Sequence, residues 1–348
     1  MSTPLLELRN VTIQYETPSG PLTAVSNAST TIEIGEYRGL VGESGCGKST
    51  IAKAIMGALD DNGEVTSGEI IFKGEEIQNL TESELNDKIR FKEISWIPQG
   101  SMNSLDPLQR VNDQAIEIGK THTEKSESEI LDQFRDMFDI VGLQESRISD
   151  YPHQFSGGMQ QRAIIALALF LEPSLIIADE PTTALDVIMQ DQILKYLDNL
   201  SEETDTSMIM ITHDISLVFE TCNTISIMHA GQIAETGSTI EVYNEPRHPY
   251  SILLQEAFPD IRYPNRDLAI IEGYPPENIG EVDYCTFADR CPWAVEDCTR
   301  GEPKLESIGA GQGEHRAACI RKDEVLELYR EEGIQRDDQD SKEVVTDE

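Results

Sequence analysis

Residues 42–50 read GESGCGKST. They follow the apolar run that ends IEIGEYRGLV and open a helical pattern over 48–58, so a strand, a glycine-rich turn and a helix stand in that order. Glycines at 42, 45 and 47 let backbone N–H groups turn toward one point. The following helix N-terminus adds unpaired N–H groups and a favourable dipole for an anion. This predicts a phosphate-binding loop on an α/β fold. Lys48 is placed to reach the outer phosphates of a nucleotide and the Ser49 hydroxyl to hold Mg²⁺, while Gly42, Ser44, Gly45, Cys46, Gly47 and Thr50 complete the cradle. Cys46 reads as a small filler residue rather than a redox group.

A phosphate loop needs acids opposite it, and SLIIADEP supplies them. The apolar run before Asp179 and Glu180 predicts a buried strand whose carboxyl end presents both residues. The pairing resembles that of P-loop ATPases, in which Asp179 would complete the Mg²⁺ shell and Glu180 would polarise an attacking water. Three further stretches surround this core: IPQ ending at Gln99, FSGGMQQR from Phe155 to Arg162, and TTALD ending at Asp186, with Thr212 and His213 closing another apolar run.

Together these stretches resemble the ATP-binding cassette (ABC) ATPases over residues 5 to about 245. The resemblance implies ATP as ligand and Gln99 as a sensor of Mg²⁺ and nucleotide. Ser156, Gly157 and Gly158 would contact the γ-phosphate held by an opposite subunit, and Asp186 would cross that interface. His213 would hold the γ-phosphate and the water, and Tyr15 would stack on adenine. Met159 stands where many members have Gln. Nucleotide state would then set a conformational equilibrium between two cassettes.

QGSMNSLDPLQRV after Gln99, HPYSILLQEAFP at 248–259 and a cysteine-rich stretch resemble the ATPase subunits of oligopeptide and dipeptide importers. That resemblance implies two separate membrane permease subunits, a second ABC ATPase (homologous or a second copy) and an extracellular substrate-binding protein. Oligosaccharides and nickel chelates are alternative cargoes within the subfamily. A non-transport cassette protein acting on ribosomes or DNA is the competing class, but this chain has one phosphate loop and no heptad run.

Organisation along the chain follows the same division. Residues 5–17 alternate as an edge strand would, and 101–155 turn helical and charged, with 127–141 the clearest amphipathic segment, as an inserted helical subdomain would. Helix and strand then alternate: helices over 158–171 and 187–200, strands over 174–179 and 207–212, and a shorter unit at 224–237. The expectation is an ABC cassette with a mixed sheet over 1–245, a small C-terminal cysteine-rich module over 246–320, and an acidic, partly disordered tail over 321–348.

Acidic residues outnumber basic ones 64 to 27, for a net charge of −37, and the tail from Lys322 contributes only −7 of it. This argues against nucleic acid as a partner. Charge spread over a folded body repels itself in dilute buffer and is screened at molar salt, where the Debye length is about 3 Å. A salt-adapted source is expected. The longest apolar stretch, Ala163 to Leu171, is too short to span a bilayer, and MSTPLLELRN lacks a secretory signal. The chain is expected at the cytoplasmic face of the cell membrane.

Cys285, Cys291, Cys298 and Cys319 fall within 35 residues, whereas the other 313 hold two cysteines. In a reducing compartment a disulfide framework is disfavoured. Gaps of five, six and twenty residues match neither a zinc knuckle nor a ferredoxin run, so spacing leaves the metal open. The importer resemblance implies a [4Fe–4S] cluster, with zinc (His315 as its reserve ligand) or no metal as the alternatives.

Overall fold

The computed structural model describes residues 3–100, 104–181, 188–190, 194–195, 205–257, 270–308 and 315–332. Asp186, most of the predicted helix at 187–200 and the tail beyond 332 lie outside them. β1 (Leu6–Thr17), β2 (Gly20–Ile32), β4 (Gly63–Phe72) and β5 (Glu75–Glu76) form an antiparallel sheet in the order β2-β1-β4-β5. β1 pairs on both sides and is therefore an interior strand, not the edge strand its alternation predicts.

The second sheet carries the phosphate loop. It contains β3 (Tyr37–Val41), β6 (Ile94–Ile97), β7 (Leu175–Asp179), β8 (Ser207–Thr212), β9 (Thr224–His229), β10 (Gln232–Ser238), β11 (Glu306–Ser307) and β12 (Arg316–Ala317). Their order is β11-β12-β10-β9-β3-β8-β7-β6. β9, β3, β8, β7 and β6 are parallel, whereas β10, β12 and β11 add antiparallel pairs, so the sheet is mixed as expected.

The parallel strands read as unbroken apolar runs because both faces are covered. On β7 and β8, Ile176, Ala178, Met208 and Met210 face one core, while Leu175, Ile177, Ile209 and Ile211 face the other. The second core is completed by α1 (Lys48–Ile55) and α2 (Glu82–Lys88), on the antiparallel sheet.

The first core is capped by the helical subdomain. There α3 (Val111–His122) and α4 (Glu127–Ile140) pack on each other and α4 on α5 (Gly157–Leu169). α4 starts with a reciprocal cap between Ser126 and Glu129, and it buries Ile130, Phe134, Met137 and Phe138 at helical spacing. Gly119 permits the α3–α4 approach: a Cβ there would lie 2.7 Å from Ile130 Cγ2.

The chain after β10 corrects the expectation of a separate C-terminal module. α6 (Ile215–Thr221) and α7 (Thr239–Asn244) lead to α8 (Pro249–Glu256), whose Tyr250 is fully buried in the first core beside Phe287. β12 then extends the main sheet by pairing with β10. Glu235 on β10 is wholly buried and accepts hydrogen bonds from the Arg247 amide (2.7 Å), the His248 amide (2.9 Å) and the His315 ring (2.7 Å). A buried carboxylate held by three donors pins this segment to the cassette. Within the acidic segment over 321–348, α9 (Val325–Glu332) buries Val325 against Ile252 and Trp293. Among the described residues no helix is long and apolar enough to cross a membrane.

Candidate functional site

Strand order explains how distant motifs meet. β3, β8, β7 and β6 are neighbours and parallel, so their carboxyl ends share one edge. That edge receives the loop after β3, Gln99 after β6, Asp179 and Glu180 at the end of β7, and His213 after β8. One polar pocket is lined by Ser44, Gly45, Gly47, Lys48, Ser49, Thr50, Gln99, Asp179 and Glu180.

The loop is closed on its own lysine. Lys48 Nζ donates to the Gly42 carbonyl at 2.7 Å and the Glu43 carbonyl at 2.8 Å. Gly47 caps α1 at φ 104°, and Gly45 has φ 80°, backbone conformations that side chains disfavour. Cys46 is buried, and desolvation raises its thiol pKa against the pull of Lys48, which accords with the filler role.

Asp179 is 2 % exposed, and burial is the main cause that raises its pKa, against a hydrogen bond from Ser49. A desolvated carboxylate beside a serine hydroxyl at the mouth of a phosphate loop is the donor set that a hard divalent cation takes. Ser49 and Asp179 therefore suit Mg²⁺. Glu180 adopts φ 50°, a strained conformation for a residue with a Cβ, and its Oε1 lies 2.8 Å from His213 Nδ1. An ionised Glu180 accepts that hydrogen bond.

Other predicted residues lie apart. Gly42 and Cys46 support the loop from behind. Ser156 caps α5 by accepting from the Met159 amide at 3.3 Å, and it, Gly157 and Gly158 do not line the pocket. Tyr15 stands on β1 against Gly63 of β4, also off the lining. Thr212 serves the backbone, accepting from the Asp214 amide.

Sequence reasoning missed Glu43, Tyr250 and Arg290. Arg290 pairs bidentately with Glu43 at 2.7 and 2.7 Å, and the Glu43 amide donates to the Tyr250 hydroxyl at 3.0 Å. A carboxylate inside a phosphate loop was the available signal, since it demands a neutralising partner.

A second cavity, of about 230 Å³ and mainly apolar, lies between β6 and the helical subdomain, bordered by Trp96, Leu105, Ile118 and Ile164. Among the described residues, Ser95 Oγ and Trp96 Nε1 on its wall are buried without a hydrogen-bond partner.

All six cysteines are free thiols. Cys285, Cys291, Cys298 and Cys319 line one small cavity with Phe287 and Trp293. Backbone amides point at the sulfurs: Val295 N lies 3.5 Å from Cys298 Sγ and Arg321 N 3.4 Å from Cys319 Sγ. Burial pushes Cys291 up to about 12 and Cys319 to about 11. Among the described residues, however, no group of three or more His, Cys, Asp or Glu side chains is placed to hold a metal ion. His315, the reserve ligand of the zinc alternative, is committed to Glu235.

Comparison with known proteins gives the same picture. A family model described as ABC transporter matches residues 25–183, and one described as oligopeptide/dipeptide transporter, C-terminal region, matches 234–298. The oligopeptide transport ATP-binding protein OppD of Haemophilus influenzae is 42% identical over 311 residues, 89% of this chain and 95% of that protein. The dipeptide transport ATP-binding protein DppD of Escherichia coli is 37% identical over 310 residues, 88% of this chain and 94% of that protein. A dimeric ATP-binding cassette solved in a post-hydrolysis state with ADP and phosphate superposes with TM-score 0.62 at 30% identity, covering 67% of this chain and 98% of that one. With its phosphate loop, its acids and its C-terminal segment all accounted for over nearly the whole length, the chain belongs to the ABC transporter family, among the ATP-hydrolysing subunits of the oligopeptide and dipeptide type.

Proposed function

We propose that this chain powers import of dipeptides or oligopeptides through a membrane transporter by hydrolysing ATP. The observation that carries this reading is the match to OppD and DppD relatives over 88–89% of the chain, with the C-terminal region of the oligopeptide/dipeptide type matched at 234–298. Residues 1–245 are the motor and 246–320 the portion that marks the subfamily. Two permease subunits and a second cassette are the partners, and a substrate-binding protein delivers cargo outside. Attachment is peripheral, at the cytoplasmic face of the cell membrane. The apolar cavity between β6 and the helical subdomain is the seat for a permease element, because Ser95 and Trp96, unpaired among the described residues, favour an occupant that brings hydrogen-bonding atoms.

Lys48 leaves its loop carbonyls for the nucleotide's outer phosphates, and the loop amides of residues 44–50 turn to the same charge. Mg²⁺, held by Ser49 and Asp179 with Gln99 nearby, supplies neutralisation of phosphate charge. Glu180 orients the attacking water and accepts its proton, positioned by its bond to His213. Tyr15 stacks on adenine. Ser156 to Gly158 and Asp186 serve the site of the opposite cassette, which accords with Ser156, Gly157 and Gly158 being absent from their own chain's pocket.

The four clustered thiols are read as ligands of a structural [4Fe–4S] cluster. Four thiols that share one cavity and receive backbone N–H groups support this reading. The charge of −37 supports a salt-adapted source.

Glu180→Gln keeps size and hydrogen bonding but removes the base, so ATP hydrolysis in the assembled transporter falls about 10²- to 10⁴-fold while nucleotide binding persists. Hydrolysis at the parental rate would remove Glu180 from the mechanism. Protein purified without oxygen should contain iron and acid-labile sulfide at about four each per chain, both lost in Cys291→Ser. Stoichiometric zinc with no iron would overturn the cluster. Thermal unfolding followed by circular dichroism should shift to higher temperature as KCl rises toward molar concentration. A midpoint that stays flat or falls contradicts salt adaptation.

A further inference from the structure

Glu43 is an anomaly: an acid inside the loop that must hold a polyphosphate. It is fixed at three points. Its carbonyl accepts from Lys48 Nζ at 2.8 Å, its amide donates to Tyr250, and its carboxylate is gripped on both oxygens by Arg290. Two of those three partners lie in the chain beyond β10, outside the region that carries the nucleotide motifs.

Arg290 is itself over-determined. Its side chain is 6% exposed. Nε donates to the Glu272 carbonyl at 2.9 Å, and Nη1 lies 3.1 Å from Nε2 of buried His229 as well as on Glu43. His229 in turn meets the Thr286 hydroxyl at 2.9 Å, so the residue after the first clustered cysteine belongs to the same network. Arg290 directly precedes Cys291, and the Cys291 amide donates to Ala288 at 3.3 Å, which closes the turn between two of the clustered cysteines. A short, hydrogen-bonded segment therefore runs from the thiol cavity to the phosphate loop.

Two physical consequences follow from this arrangement. Arg290 cancels the charge of a partly buried carboxylate carried by the loop, and that carboxylate left without its partner would disturb the backbone that faces the phosphate pocket. Arg290 also fixes the residue whose carbonyl parks Lys48.

We propose that Arg290 is a positioning residue for the phosphate-binding loop, and that it couples the four-cysteine segment to nucleotide affinity. The inference rests on the reading of residues 42–50 as the ATP site. By reciprocity, whatever Arg290 does for nucleotide binding, nucleotide does for the order of the cysteine segment.

The test is equilibrium titration of the full chain with a fluorescent ATP analogue and Mg²⁺, paired with hydrogen exchange. Arg290→Ala should weaken binding about five- to tenfold, a common size for coupling between sites. Glu43→Gln/Arg290→Ala, which removes the stranded charge as well, should recover to within about twofold of Glu43→Gln alone. Arg290→Lys, which retains charge without the fork and guards against a misfolded alanine variant, should fall between parent and alanine. In the parent, nucleotide should slow amide exchange across residues 285–298, and Arg290→Ala should lose that protection. Parental affinity in both Arg290 variants, or exchange at 285–298 that ignores nucleotide in the parent, overturns the proposal. A parent that binds no nucleotide would overturn the ATP-site reading beneath it.

Discussion

Main chain passes main chain at the phosphate loop more closely than any side chain permits. A Cβ on Gly42 would collide with the Met228 carbonyl, and one on Gly47 with the Ala24 carbonyl. The loop is thereby wedged between the end of β9 and strand β2, and its glycines are obligatory for packing as well as for phosphate. The rest of the arrangement depends on that wedge. β3 must stop at Val41, α1 must start at Lys48, and the neighbouring parallel strands must end on the same edge for Gln99, Asp179, Glu180 and His213 to converge.

The loop also shows how charge is managed in a crowded site. Asp179 is desolvated and receives one hydrogen bond from Ser49, a state that a bound cation relieves. Glu43, by contrast, is neutralised permanently by Arg290. One acid is kept available and the other is consumed by the architecture. Placing the neutralising arginine in the C-terminal segment makes that segment part of the motor's construction, which explains why it extends the main sheet instead of folding apart.

The sequence displayed whatever was local or doubly buried. The parallel strands showed as apolar runs because each packs two cores, and the nucleotide residues showed because backbone and chemical demands coincide within short motifs. β1 was misread for a reason of the same kind. It buries Leu6, Leu8, Val11 and Ile13 on one face and leaves the other face more open, and that alternation is the same whether a strand has one neighbour or two. β11 and β12 are two residues each, too short for any period. The bonds from His315 to Glu235 and from Arg290 to Glu43 join residues 80 and 247 positions apart, and no windowed pattern reaches that far.

The account stands on the pocket at the β3–α1 turn being a nucleotide site, and equilibrium dialysis of the purified chain against radiolabelled ATP addresses it without any partner. Binding of one ATP per chain that requires Mg²⁺, and that disappears in Lys48→Ala while the far-ultraviolet circular dichroism spectrum is unchanged, is the predicted result. Binding that survives Lys48→Ala, or a folded parent that retains no ATP, would contradict it.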